Sequence, residues 1–124
     1  MRRVLIIDDE EDIRQVAALC LEMVAGWEVL TANSGALGVE RAAAEQPDAI
    51  LLDVMMPLMD GPTTFREIQL NPATRNIPVL LLTAKVQAAD QLRFSALGVA
   101  AVLLKPFDPH TLAGQISSVL GWKD

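Results

Sequence analysis

Short apolar runs recur along the chain, and most of them end on a polar residue. Val4-Leu5-Ile6-Ile7 runs into Asp8-Asp9, and Ala49-Ile50-Leu51-Leu52 runs into Asp53. Val79-Leu80-Leu81-Leu82 runs into Thr83, and the run Val99 to Leu104 ends at Lys105. Runs of this length between turn residues read as buried strands. They predict strands at residues 3–8, 49–53, 79–82 and 99–104, with a shorter one over Trp27 to Thr31. Between them the spacing changes to helical. Glu10 to Val24 is predicted as a helix with Ile13, Val16, Ala17, Cys20 and Val24 on its inner face, ended by Gly26. A second helix, capped by Ser34, runs to about Glu45. A third starts at Pro62, where a missing N–H is harmless, and turns Phe65 and Ile68 inward to about Leu70. A fourth spans about Gln87 to Leu97. A fifth is capped by Asp108, with Pro109 at its first position and Leu112, Ile116 and Val119 or Leu120 inside.

The strand–helix alternation implies a parallel sheet with helices on both faces, joined by right-handed crossovers. Five strands favour the order 2-1-3-4-5, a flavodoxin-like, doubly wound three-layer α/β/α fold. In that order strands 1 and 3 are neighbours, and their connections leave toward opposite faces. Asp8, Asp9 and Asp53 all end at this switch point, at the carboxyl edge where such sheets place their chemistry.

Composition narrows the picture without changing it. A chain of 124 residues with 52% hydrophobic residues suits one domain, residues 1–124. The net charge of −6 argues against direct nucleic-acid binding. The lone Cys20 forms no internal disulfide and reads as a small buried hydrophobe. No run approaches a membrane span and the start is too short for a signal peptide, so a cytoplasmic protein is expected.

Taken singly, Asp8 and Asp9 suit helix caps, Thr83 an ordinary strand and Lys105 a surface lysine. Asp53 is harder to place, because Ile50-Leu51-Leu52 and Val54-Met55-Met56 flank it. All four occur at equivalent strand ends, which points to a site. Three crowded carboxylates repel one another unless a cation joins them. Hard oxygen donors in small number suit Mg²⁺. An aspartate beside such a metal is able to attack phosphorus and form an aspartyl-phosphate. Lys105 would then meet a phosphoryl oxygen as a point charge, and Thr83 would offer a hydroxyl.

On these residues the chain resembles the receiver domains of two-component response regulators. The resemblance covers Val4 to Val119. It rests on Asp8-Asp9, on Asp53 with Met56-Pro57 and Met59-Asp60-Gly61, on Thr83-Ala84, and on Lys105-Pro106-Phe107. It implies that Asp53 accepts a phosphoryl group from a phosphohistidine of a sensor histidine kinase or phosphotransfer protein. It also implies that Asp9 binds Mg²⁺ directly and Asp8 mainly through water, with the main-chain carbonyl of Met55 as a further ligand. Lys105 would contact the phosphoryl group, its bond to Pro106 is expected to be cis, and Thr83 would swing toward the phosphate. Such a protein is not an enzyme acting on others; it catalyses only its own phosphorylation and dephosphorylation. Met55 and Lys85 occupy the positions that influence attack by water in this family, and Met55 offers water no strong hydrogen bond. Met56 and Met59 read as loop packing, Asp60 as a turn or cap residue, and His110 as an exposed helix residue.

Several departures shape the expected output. Val102 stands where many receivers carry an aromatic residue, and Ala100 and Ala101 where two acids often precede it. An apolar face made by helix 4, strand 5 and helix 5 is therefore expected to bind a downstream protein or a second copy. With the last predicted helix ending close to Asp124, a receiver without an output domain is expected, either standing alone or cut from a longer protein. A haloacid dehalogenase-type phosphatase would need an acid where Met55 stands. A flavodoxin would need a phosphate loop where the acids of strand 1 stand. The remaining alternative is a receiver fold that serves as an interaction module with vestigial phosphorylation.

Overall fold

The computed structural model describes residues 2–84 and 87–123. The elements are β1 (Arg3–Ile7), α1 (Glu11–Cys20), β2 (Glu28–Ala32), α2 (Gly35–Glu45), β3 (Ala49–Asp53), α3 (Gly61–Leu70), β4 (Val79–Thr83), α4 (Ala88–Ser95), β5 (Ala101–Leu104) and α5 (Leu112–Leu120). Every pairing is parallel and the strand order is β2-β1-β3-β4-β5. Among the described residues no helix is long and apolar enough to cross a membrane.

Strand alternation divides the core into two layers. Val4, Ile6, Ala49, Leu51, Leu80 and Leu82 pack with Ala17 of α1, Leu21 just after it, and Leu112 and Ile116 of α5. Leu5, Ile7, Ile50, Leu52, Val79 and Leu81 pack with Ala42, Phe65, Ile68 and Phe94 of α2, α3 and α4. β3 and β4 are buried along their whole length, as the near-continuous apolar runs require.

Two local expectations are corrected. Val16 and Val24 are 45% and 54% exposed, not inward-facing. The buried stripe of α1 is Ala17 and Cys20, continued by Leu21, with Ile13 packed against it. After Cys20 the chain makes a π-helical turn over Leu21–Ala25, closed by Gly26 at φ 73°. The wider pitch of that turn carries Val24 off the stripe. At the other end of the chain, Asp108 does not cap α5. Its Oδ1 accepts from the N–H of His110, two residues on, at 2.8 Å. This is an Asx-type turn, so Pro109 lies in the turn and α5 begins at Leu112. Of the two residues expected at the inner end of α5, Leu120 packs inward and Val119 is 43% exposed. Other readings hold. Ser34 Oγ and Asp60 Oδ1 cap α2 and α3, accepting from Leu37 N–H at 3.2 Å and Thr63 N–H at 2.9 Å. The buried Cys20 gives its thiol to Ala17 O at 3.3 Å.

Gly61 lets the β3–α3 loop fold back behind Asp53. A Cβ there would stand 2.5 Å from the Asp53 carbonyl oxygen and 2.8 Å from Val54 Cα. Both are backbone atoms, so the strand end itself would have to move. Gly114, in the first turn of α5, has nothing within 4 Å of a built Cβ. Gly61→Ala is therefore expected to destabilise the protein by roughly 1–3 kcal/mol. Gly114→Ala is expected to stabilise it by up to about 1 kcal/mol, through helix propensity alone. Urea unfolding followed by circular dichroism measures both; equal shifts of the same sign would contradict the packing described.

Candidate functional site

The two-residue period that sorts the core also aims the charged groups. Asp53 continues the alternation of Ala49 and Leu51, and Asp8 that of Val4 and Ile6. Lys105 continues that of Ala101 and Leu103. All three therefore emerge on the α1/α5 side of the sheet. Thr83 has the parity of Val79 and Leu81, which pack on the other side. It ends β4, is fully buried, and its backbone oxygen accepts from Lys105 N–H at 2.8 Å. The pairing of Thr83 with Leu104 sets the ends of β4 and β5 level.

Carboxylate oxygens of Asp8, Asp9 and Asp53 lie within 4.8 Å of one another. Asp8 and Asp53 are buried, and Asp9 is exposed at the rim. The Lys105 ammonium lies 3.1 Å from Asp8 Oδ2 and 3.0 Å from Asp53 Oδ1. The contact with Asp8 is an ion pair without hydrogen-bond alignment, and Asp53 Oδ2 has no hydrogen-bond partner among the described residues. The Lys105–Pro106 bond is cis, as the family resemblance implies.

Burial dominates the electrostatics. It raises the Asp53 pKa to about 6; Asp8 nearby adds to the rise, while Lys105 and the Met55 backbone amide oppose it. Burial raises the Asp8 pKa too, against the Glu10 backbone amide and Lys105. Burial works against the Lys105 charge, but Asp53 and Asp8 outweigh it, and the ammonium holds its proton above the usual range. One ammonium thus compensates three carboxylates incompletely.

These residues fit a small hard cation. The donors are all carboxylate oxygens, and Asp53 Oδ2 is buried with no hydrogen bond to any of the described residues. Opposite ligands of an octahedral Mg²⁺ stand about 4.2 Å apart, close to the spread found here. Asp8, Asp9 and Asp53 are the acidic triad typical of the receiver Mg²⁺ site.

Two residues at this site were not singled out in the sequence. Arg14 Nη1 donates to the Asp8 carbonyl oxygen at 2.7 Å and fixes the β1–α1 loop. Glu10 Oε1 lies 3.5 Å from Lys105 Nζ, and the Glu10 N–H donates to Asp8 Oδ1 at 2.9 Å. Acids opening a helix signal capping, so nothing in the sequence links Glu10 to a lysine on β5. Met55 is 62% exposed beside Asp53, Met56 is buried, and His110 is exposed. Lys85 lies outside the described residues. A 410 Å³ cleft between α4 and the β3–α3 loop, lined by Met55, Met56, Asp60, Arg93 and Phe94 among others, includes none of the three acids.

Residues 4–117 match the family model of the response regulator receiver domain. The chain is 38% identical over 120 residues to the DNA-binding dual master transcriptional regulator RpaA of Synechocystis sp., covering 97% of this chain and 49% of that protein. It is 40% identical over 123 residues to the response regulator PleD of Caulobacter vibrioides, covering 98% of this chain and 26% of that protein. The chain thus spans about half or less of the length of these curated relatives. Among solved structures it is similar to the chemotaxis protein CheY4 of Vibrio cholerae, with a TM-score of 0.88 at 33% identity, covering 96% of this chain and 98% of that one.

The raised Asp53 pKa makes stability depend on pH. The folded state holds this proton more tightly than the unfolded chain, so the group's contribution is full below about pH 4 and is lost as pH rises through about 6. The amount at stake is about 3 kcal/mol. In chelator, Asp53→Asn is expected to be more stable than the wild type at pH 7.5, with the advantage shrinking toward pH 4. Unfolding free energies of both proteins across that range test it; a difference that stays constant with pH would contradict the charge crowding.

Proposed function

Because this chain belongs to the receiver domains of response regulators, we propose that Asp53 is the residue on which it accepts a phosphoryl group from a histidine kinase. The observation that carries this reading is the meeting of Asp8, Asp9, Asp53 and Lys105 at the β1/β3 switch point. A carboxylate oxygen of Asp53 attacks the phosphorus of the donor's phosphohistidine. The O–P bond forms as the N–P bond breaks, and the electron pair of that bond returns to the imidazole nitrogen. Lys105 moves from its place 3.0 Å from Asp53 to a phosphoryl oxygen. Thr83 turns its hydroxyl toward another. Asp8, Asp9, Asp53 and the Met55 main-chain carbonyl are the groups that would hold Mg²⁺, which when bound neutralises charge on the phosphoryl oxygens. On this reading the reaction takes place in the cytoplasm, where receiver domains typically work.

Output runs, on this reading, from Thr83 to the face made by α4, β5 and α5, toward a downstream protein or a second copy. Leu92, Leu104 and Val119 on this face are 72%, 47% and 43% exposed. Ala100, just before β5, is exposed as well, where acids would favour ion pairing instead. Ala101 packs partly against the core, so Ala100 is the cleaner position for a probe.

Asp53→Asn is expected to abolish Mg²⁺-dependent phosphoryl uptake from acetyl phosphate, read by intact mass, while its circular dichroism stays that of the wild type. Undiminished uptake would place the acceptor elsewhere, and no uptake by the wild type from any donor would favour the interaction-module reading. Ala100→Asp is expected to weaken self-association or target binding of the phosphorylated protein at least several-fold, with uptake unchanged. Unaltered binding would move the output surface off β5.

A further inference from the structure

Among the described residues, Glu10 is the one carboxylate touching Lys105 that lies outside the triad. It occupies the N-cap position of α1 with φ −88° and ψ 116°, yet its side chain makes no capping hydrogen bond. Its Oε1 stands 3.5 Å from Lys105 Nζ instead. The ammonium therefore has three acids around it, two deep and one shallow. Asp8 and Asp53 side chains are 1% and 3% exposed, Lys105 14% and Glu10 61%. The two deep acids are also the ones a cation must share. In the structure Lys105 holds Asp8 Oδ2 and Asp53 Oδ1, the same groups assigned to Mg²⁺, so the lysine and the cation compete for them.

We propose that Glu10 is a positioning residue that draws Lys105 toward the mouth of the site, weakening its hold on Asp8 and Asp53 so that a divalent cation is able to take their oxygens. The proposal rests on the receiver reading above. Its chemistry is a competition of charges: the more firmly Glu10 holds the ammonium, the less firmly Lys105 neutralises the two buried acids. Reach matters as well as charge. An aspartate at the same position keeps the negative charge but is one methylene shorter, and the gap is already 3.5 Å.

The test is Mg²⁺ titration of the unphosphorylated protein followed by backbone amide shifts. Glu10→Gln is expected to raise the apparent Kd about threefold, the size of a partly exposed ion pair. Glu10→Asp is expected to behave like Glu10→Gln, since contact with Lys105 is lost. In a Lys105→Met background, Glu10→Gln is expected to change nothing, because there is no ammonium left to position. Three results would overturn the proposal: an unchanged Kd in Glu10→Gln, wild-type affinity in Glu10→Asp, or the same threefold loss with and without Lys105. The last two would assign Glu10 a field effect on the cation alone. If Lys105→Met does not fold, the Glu10→Asp comparison still decides. A wild type that binds no Mg²⁺ would sink the receiver reading of the acids itself, an outcome distinct from any result with Glu10.

Discussion

Three carboxylates and one ammonium meet at the carboxyl edge between β1 and β3, and their mutual compensation is incomplete. Asp53 and Asp8 are held in a setting that raises their pKa values, chiefly by burial. Lys105 and the backbone amides of Glu10 and Met55 favour the charged acids only in part. What keeps it together is the apolar frame: β1, β3 and β4 are buried almost throughout, and their parallel register sets the strand ends side by side. Gly61 closes the loop against the Asp53 backbone, and Arg14 ties down the carbonyl of Asp8. Strain of this kind is what a cation and a phosphoryl group are suited to relieve.

The division of the core into two layers gives the site a direction. Asp8, Asp53 and Lys105 follow strand positions that pack on α1 and α5, while Thr83 follows those that pack on α2, α3 and α4. The buried acids and the buried hydroxyl thus belong to opposite faces of one sheet, joined by adjacent strand ends. In the proposed function, phosphorylation on one face draws Thr83 across that edge.

Most of this was legible in the sequence because it depends on short-range pattern. Apolar runs ending in Asp8, Asp53, Thr83 and Lys105 fix both the strands and the edge at which the charges appear. Strand alternation then needs no tertiary information to pair residues so far apart in the chain. The misreadings came where a local signal has two outcomes. Val24 fits a helical stripe until the π-helical turn after Cys20 rotates it away, while Val16, upstream of that turn, is simply left exposed beside the stripe of Ala17 and Cys20. Asp108 is a good cap by type, but its oxygen bonds two residues on instead of three. Glu10 and Arg14 were missed for a different reason. Their partners are Lys105 on a distant strand and a backbone carbonyl, and only the folded geometry names them.

The central claim is that burial and charge crowding hold Asp53 poised for a cation. The most direct measurement is the titration of its side-chain carboxyl carbon by NMR, with and without Mg²⁺. The account predicts a midpoint near 6 in the metal-free protein, falling well below that value when Mg²⁺ saturates the site. A metal-free midpoint in the ordinary carboxylate range, unmoved by Mg²⁺, would contradict it.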